Sequence, residues 1–127
     1  MKVENTGIDG AKVKLKELDF LMKKNGLIRA GQWDYERVMY DYKMNSPEKN
    51  ITYYLRIPGY AVEGDIDSGN AVVSLMTPLV GKHFYPHGTE YGEKENFPSS
   101  VLEKSEQILI KLGEVLEDFQ TPSTKEA

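Results

Sequence analysis

Apolar and polar positions change period several times along the chain, and each change marks an element. From Ala11, Val13 and Leu15 alternate with Lys12, Lys14 and Lys16, which predicts a short strand with lysines on its wet side. From about Glu17 the spacing turns helical. Leu18, Leu21 and Met22 share a face, Lys23 and Lys24 sit at the negative end of the helix dipole, and Asn25-Gly26 supplies a left-handed stop, so a short helix is expected over 17–25. The segment from Gln32 to Tyr42 is rich in aromatic and branched residues that suit a pleated surface. Its alternation slips phase, with Trp33 and Tyr35 odd-numbered and Val38, Tyr40 and Tyr42 even, which predicts a β-bulge near Glu36-Arg37. After turn residues at 45–50, Ile51, Tyr53, Leu55 and Ile57 alternate with Thr52, Tyr54 and Arg56 as a clear strand. Pro58-Gly59 is expected to break or bend it, and Tyr60-Ala61-Val62 to extend it briefly. A polar loop at 63–70 leads into a mostly apolar strand, Ala71 to Thr77, ended by Pro78. Ser100-Val101-Leu102-Glu103 has capping-box spacing, and Val101, Leu102, Ile108, Leu109, Leu112, Val115, Leu116 and Phe119 then recur at helical period, predicting one long helix over 99–120.

The strands between 28 and 77 have no helix-length crossover, so they should be antiparallel neighbours. The expected fold class is α+β: a single antiparallel sheet of about four to six strands, a short N-terminal helix, and a long C-terminal amphipathic helix packed on one face. Residues 1–120 would form one domain and 121–127, with too little apolar surface to pack, a loose tail. The sheet's second face would then carry Tyr54, Arg56, Asp34, Glu36 and Tyr60, unusually aromatic for a surface meant only for water.

At 127 residues the chain is long enough to bury a core without staples. Cysteine is absent, which excludes disulfides, thiolate metal sites and cysteine nucleophiles and fits a reducing interior. The start lacks a signal-peptide pattern and no window approaches a membrane span, so a cytoplasmic location with no membrane partner is expected. A net charge of -4, with both signs interspersed, argues against nucleic acid, which wants a clustered basic footprint.

Several segments together, Ala30-Gly31-Gln32-Trp33-Asp34-Tyr35-Glu36-Arg37, Tyr53-Tyr54-Leu55-Arg56, Ala61-Val62-Glu63-Gly64-Asp65, Leu75-Met76-Thr77-Pro78, Gly81-Lys82-His83 and Tyr85-Pro86-His87-Gly88, resemble the YugN-like family of small bacterial proteins. The resemblance covers most of the chain and is most specific around Trp33 and His83. It implies a cytoplasmic bacterial protein with an α+β fold, and it carries over no catalytic or binding residue.

Chemistry concentrates between Gly81 and Gly92, which holds both histidines among aromatic and chain-bending residues. His83 and His87, with Glu90 on the same loop and Glu63 or Asp65 on the previous one, have the donor types of a zinc, iron or manganese site or of an acid-base pair. Pro86 and Gly88 make a helix improbable there, so the spacing fixes no relation between the rings. The plain alternative is that His83 ends a strand and His87 hydrogen-bonds in a turn. A second candidate is the aromatic set Trp33, Tyr35, Tyr40, Tyr42, Tyr53, Tyr54 and Tyr60, interleaved with Arg37 and Arg56 and joined by Tyr85 on the histidine loop. Such a surface stacks planar ligands or anchors proteins, and it equally stabilises a sheet with nothing bound. The acidic turn from Glu63 to Asn70 lacks the calcium-loop pattern, and Gly81-Lys82 lacks that of a phosphate loop. The preferred expectation is a non-enzymatic binding or protein-interaction module, self-association included, that uses the aromatic and arginine sheet face or loops 58–70 and 81–92, with no cofactor. The alternative is a small enzyme or small-molecule or metal binder centred on His83 and His87.

Overall fold

The computed structural model describes residues 1–30, 36–45, 50–84, 88–90 and 97–120. Its elements run β1 (Lys12–Lys14), α1 (Leu15–Lys24), β2 (Ile28–Arg29), β3 (Arg37–Asn45), β4 (Ile51–Glu63), β5 (Val72–Leu75), β6 (Leu79–Phe84), β7 (Gly88–Glu90) and α2 (Ser99–Glu117). The fold is α+β, as the periodicity predicts. One antiparallel sheet carries two helices, and it counts seven strands once the two-residue β2 and three-residue β7 are included.

β4 is the spine of the sheet. One side pairs with β3 from Thr52 to Tyr60, while the other pairs with β6 over Ile51 to Arg56 and with β5 over Gly59 to Glu63. The expected break at Pro58-Gly59 does not occur, because Pro58 falls where the second side passes from one neighbour to the other. The Pro58 carbonyl accepts the Met76 N–H on that side at 2.8 Å, so the missing proline donor faces the handover and costs no ladder bond. Gly59 has its own reason. A Cβ there would lie 2.7 Å from Val73 Cγ1, so only glycine lets β5 approach. The predicted bulge near Glu36-Arg37 falls at the start of β3, and its upstream half lies outside the described residues. β3 and β4 stay in register from Arg37 onward, and the shift the sheet does show lies on β4 between Ala61 and Glu63.

α1 begins at Leu15, two residues earlier than expected, because Leu15 is itself in phase with Leu18 and Met22 and its N–H is satisfied by the Ala71 carbonyl at 2.9 Å. It ends as the Asn25-Gly26 pair requires: Gly26 has φ +88°, its N–H reaches Lys23 O, and the Leu27 N–H reaches Met22 O at 2.8 Å. α2 starts at Ser99 with Pro98 as its N-cap. Ser100 is therefore inside the first turn, and the expected capping box is not formed.

Both helices cover the same face of the sheet. Val38, Tyr40 and Met44 of β3, Tyr53, Leu55 and Ile57 of β4, Val73 and Leu75 of β5 and Val80 of β6 are buried in one cluster with Leu15, Leu18, Leu21 and Met22 of α1 and Leu109, Leu112 and Leu116 of α2. Tyr40 Oη donates to Asp19 Oδ1 of α1 at 2.5 Å, and Ser105 Oγ of α2 lies 4.0 Å from Met44 Sδ. The N-terminal segment closes the remaining seams. Val3 N–H bonds Pro78 O, Gly10 N–H bonds Leu75 O, and Gly113 of α2 lies so close to this segment that a Cβ would be 2.7 Å from Thr6 O.

The uncovered sheet face as candidate site

Residues that alternate out of the core necessarily share the opposite face, and the register places them in rows. Arg37 stands beside Tyr60, Met39 beside Pro58, Asp41 beside Arg56, Lys43 beside Tyr54, and Asn45 beside Thr52. β6 continues three of these rows, with Leu79 next to Arg56, Gly81 next to Tyr54 and His83 next to Thr52, and β2 adds Ile28 next to Asp41. Among the described residues no helix covers this face. Ile28 is 60 % exposed, Tyr60 44 % and the neighbouring Met76 44 %, amounts that matter because large apolar side chains are usually hidden.

At the centre Arg56 donates two hydrogen bonds to Asp41, Nε to Oδ1 at 2.7 Å and Nη2 to Oδ2 at 2.8 Å. This two-pronged contact fixes the guanidinium plane between Met39 and Tyr54 rows of the face, where it offers a flat, charge-neutralised surface. Toward β6 the Tyr54 and His83 rings meet edge to face, with centroids 6.5 Å apart and planes at 87°. Toward β5 a shallow hollow of about 400 Å³ is lined by Pro58, Tyr60, Ser74, Met76 and Leu79 with Lys2 and Asp9 at its rim.

The aromatic set read from the sequence is thereby divided. Tyr54 and Tyr60 lie on the open face, whereas Tyr40 and Tyr53 are buried under the helices, Tyr53 against Phe97 with ring centroids 6.1 Å apart. Burial and the bond to Asp19 raise the Tyr40 phenol far above its ordinary ionisation range, with the Asp19 charge adding to this and Arg29 opposing it. Arg37 and Arg56 lie where the alternation puts them. Trp33, Tyr35, Asp34, Tyr85 and His87 lie outside the described residues.

The histidine reading fares differently. The stretch from Gly81, expected to be an irregular loop, contributes β6 and β7, and His83 sits inside β6 paired with Thr89. Glu90 is opposite Lys82 in that hairpin. Glu63 ends β4, eleven steps from the Thr52 that neighbours His83, which is about 36 Å of strand. Asp65 lies beyond it and serves its own turn, accepting the Ser68 N–H at 2.8 Å. The structure thus does not bring Glu63 or Asp65 to His83, and among the described residues no group of three histidine or acidic side chains could hold a metal ion.

Sequence reasoning missed Ile28, Met39, Asp41 and Leu79 as members of this face. The signal was available for Asp41, because once Tyr40 is assigned inward its neighbour must point outward, opposite Arg56.

Comparison with known proteins gives a consistent picture. The model of the YugN-like family matches residues 4–127. YlbA, an uncharacterized protein of Bacillus subtilis (strain 168), is 52% identical over 120 residues, covering 94% of this chain and 98% of its own. The uncharacterized protein YugN of the same organism is 36% identical over 75 residues, 59% of this chain and 54% of its own. A crystal structure of the uncharacterized conserved protein YugN from Geobacillus kaustophilus HTA426 superposes with a TM-score of 0.80 at 46% identity, covering 100% of this chain and 99% of that one.

Proposed function

The chain belongs to the YugN-like family, and we propose that it is a non-enzymatic protein-interaction module of the bacterial cytoplasm whose contact surface is the uncovered face of the sheet. The observation that carries this reading is the placement of both helices on one side. That leaves Tyr54, Tyr60, Ile28, Met39 and Leu79 around the neutralised Asp41-Arg56 pair on the other. Rigid aromatic rings and an oriented guanidinium are the side chains that dominate protein contacts, because they bury much area for little lost freedom.

The occupant we assign is a second copy of the chain. From Thr52 to Tyr60 the face is about 27 Å long, and the strands β2, β3, β4 and β6 make it about 19 Å wide. Two such faces bury about 1,000 Å² together, the lower bound for a specific association. An isologous contact also needs a surface that does not repel itself. The internal pairing of Asp41 with Arg56 meets that need at the centre.

Sedimentation equilibrium from micromolar to millimolar protein tests the reading. A reversible dimer is expected, with Tyr54→Ala and Tyr60→Ala each raising its dissociation constant by about tenfold, or about 1.4 kcal/mol, while the far-ultraviolet spectrum stays that of the parent. A parent protein that remains monomeric throughout, or substitutions that lower the melting temperature without changing the mass distribution, would refute it.

A further inference from the structure

Along the helix side of the molecule and the edge of β3, the charge distribution is uneven in a way that the net charge of -4 conceals. Along α2, Ser100, Lys104, Gln107 and Lys111 follow one another at spacings of four, three and four and therefore share a single stripe. The stripe is about 17 Å long. It forms one wall of two adjoining hollows, of about 340 and 360 Å³, whose common members are Lys104 and Tyr42. Lys24 and Asn25, at the end of α1, complete the first, and the β3 edge from Tyr42 to Asn45 completes the second.

Among the described residues, no acidic one lines either hollow. Among the described residues Lys104 and Lys111 have no carboxylate partner, and the Lys24 ammonium has only the Phe20 ring, 5.9 Å from its centroid. The second hollow opens beside the start of α2, where Pro98 provides no side-chain cap and the first turn carries no acidic residue. The Val101 and Leu102 amides donate to Pro98 O at 3.1 and 3.2 Å, no acidic side chain of the first turn neutralises the helix end, and the helix dipole adds positive potential to that of the lysines. With Lys43 in the second hollow, four lysines border the groove; like charges so placed repel one another, and an anion removes the repulsion while gaining each attraction.

We propose that this groove, lined by Lys24, Lys104 and Lys111 between α2 and the Tyr42 edge of β3, binds a linear phosphate-bearing anion. A chain of phosphates matches the groove better than a single compact anion does, because Lys104 and Lys111 stand about 10 Å apart along the helix and Lys24 faces them from the end of α1, so the cations are not gathered at one point. The polar side chains of Asn25, Gln107 and Ser100 lie between the cations and can donate hydrogen bonds to phosphate oxygens.

Isotope-labelled full-length protein titrated with inorganic tripolyphosphate, with ATP and with sulfate at low and high salt tests the assignment. Tripolyphosphate should shift the amides of Ser100, Lys104, Gln107 and Lys111 and weaken as salt rises. Lys104→Glu and Lys111→Glu should each weaken it about tenfold. Lys14→Glu, an equal charge change on β1, should weaken it less than twofold. Tighter binding of ATP that depends on Tyr42 would identify a nucleotide as the source of the phosphates, and equal binding would identify the bare chain. The proposal is overturned if sulfate binds as well as tripolyphosphate, if Lys14→Glu weakens binding as much as Lys104→Glu, or if tripolyphosphate shifts none of these amides. Dimerisation through the open face is read from mass and not from these shifts, so either idea can fail alone.

Discussion

Replacing Tyr40 by phenylalanine removes one oxygen from the best-defined polar contact in the core and leaves the ring in place. Tyr40 is 1% exposed, and its hydroxyl donates to Asp19 Oδ1 at 2.5 Å, tying β3 to α1. A hydrogen bond to an ionised partner is worth about 1.5–3 kcal/mol. Asp19, whose side chain is 36% exposed and lies 3.7 Å from Arg29, keeps access to water and to a cation when the hydroxyl is gone. The lower end therefore applies, and Tyr40→Phe should cost about 1.5 kcal/mol and about 5 °C of melting temperature. The same contact fixes a pH dependence. The folded phenol ionises far above the ordinary tyrosine value because it is buried and bonded to a carboxylate, so the unfolded chain loses this proton first as pH rises. Its stabilisation is whole below about pH 10, the unfolded tyrosine value, and is lost progressively above it. Denaturant unfolding of both proteins from pH 7 to pH 11.5 separates this from the other tyrosines, which both chains share. The gap between parent and variant should be constant to about pH 9.5 and then close. A variant as stable as the parent at pH 7, or a gap that widens in alkali, would show that the Tyr40-Asp19 contact does not act as described.

Two further substitutions test the packing. Leu55→Ala, at a fully buried position on the central strand, should cost about 3 kcal/mol by chemical denaturation, and a loss below about 1 kcal/mol would deny β4 its central role. Gly113→Ala should raise helix propensity by about 1 kcal/mol, yet its new methyl would stand 2.7 Å from Thr6 O, so a net loss of about 1–2 kcal/mol in thermal melts is expected. Stabilisation instead would mean that the N-terminal segment does not press on α2.

What the chain revealed before its coordinates followed from periodicity, and what it hid followed from distance. The two helices, β4 and the alternation of Leu55 and Ile57 were legible because each rests on a local repeat, whereas Tyr40 and Tyr53, grouped by the sequence with the candidate surface aromatics, are buried. The outward assignment of Tyr54, Arg56 and Tyr60 came from the same alternation. β6 was not legible, because Gly81, Lys82 and His83 read as loop chemistry and are made a strand only by the β4 edge beside them, a tertiary effect that overrides propensity. Pro58 misled for a related reason, since whether a proline breaks a strand depends on which neighbour its nitrogen faces. The histidine site was proposed from sequence neighbourhood, which says nothing about Glu63, on the same strand but at its far end. The lysine groove was invisible because its walls come from α1, β3 and α2, segments remote in sequence.

β1 lies between β5 on one side and, through the bridge of Val13 with Gln120, the segment that follows α2 on the other. Its two neighbours are thus translated about sixty and over a hundred residues after it. On the ribosome the nascent β1 must wait for nearly all of the chain to emerge, while the β3-β4 hairpin can form as soon as its own turn is made. The exposed Lys14 and half-buried Lys12 charge that strand, and like charges discourage its pairing with the same strand of another nascent chain.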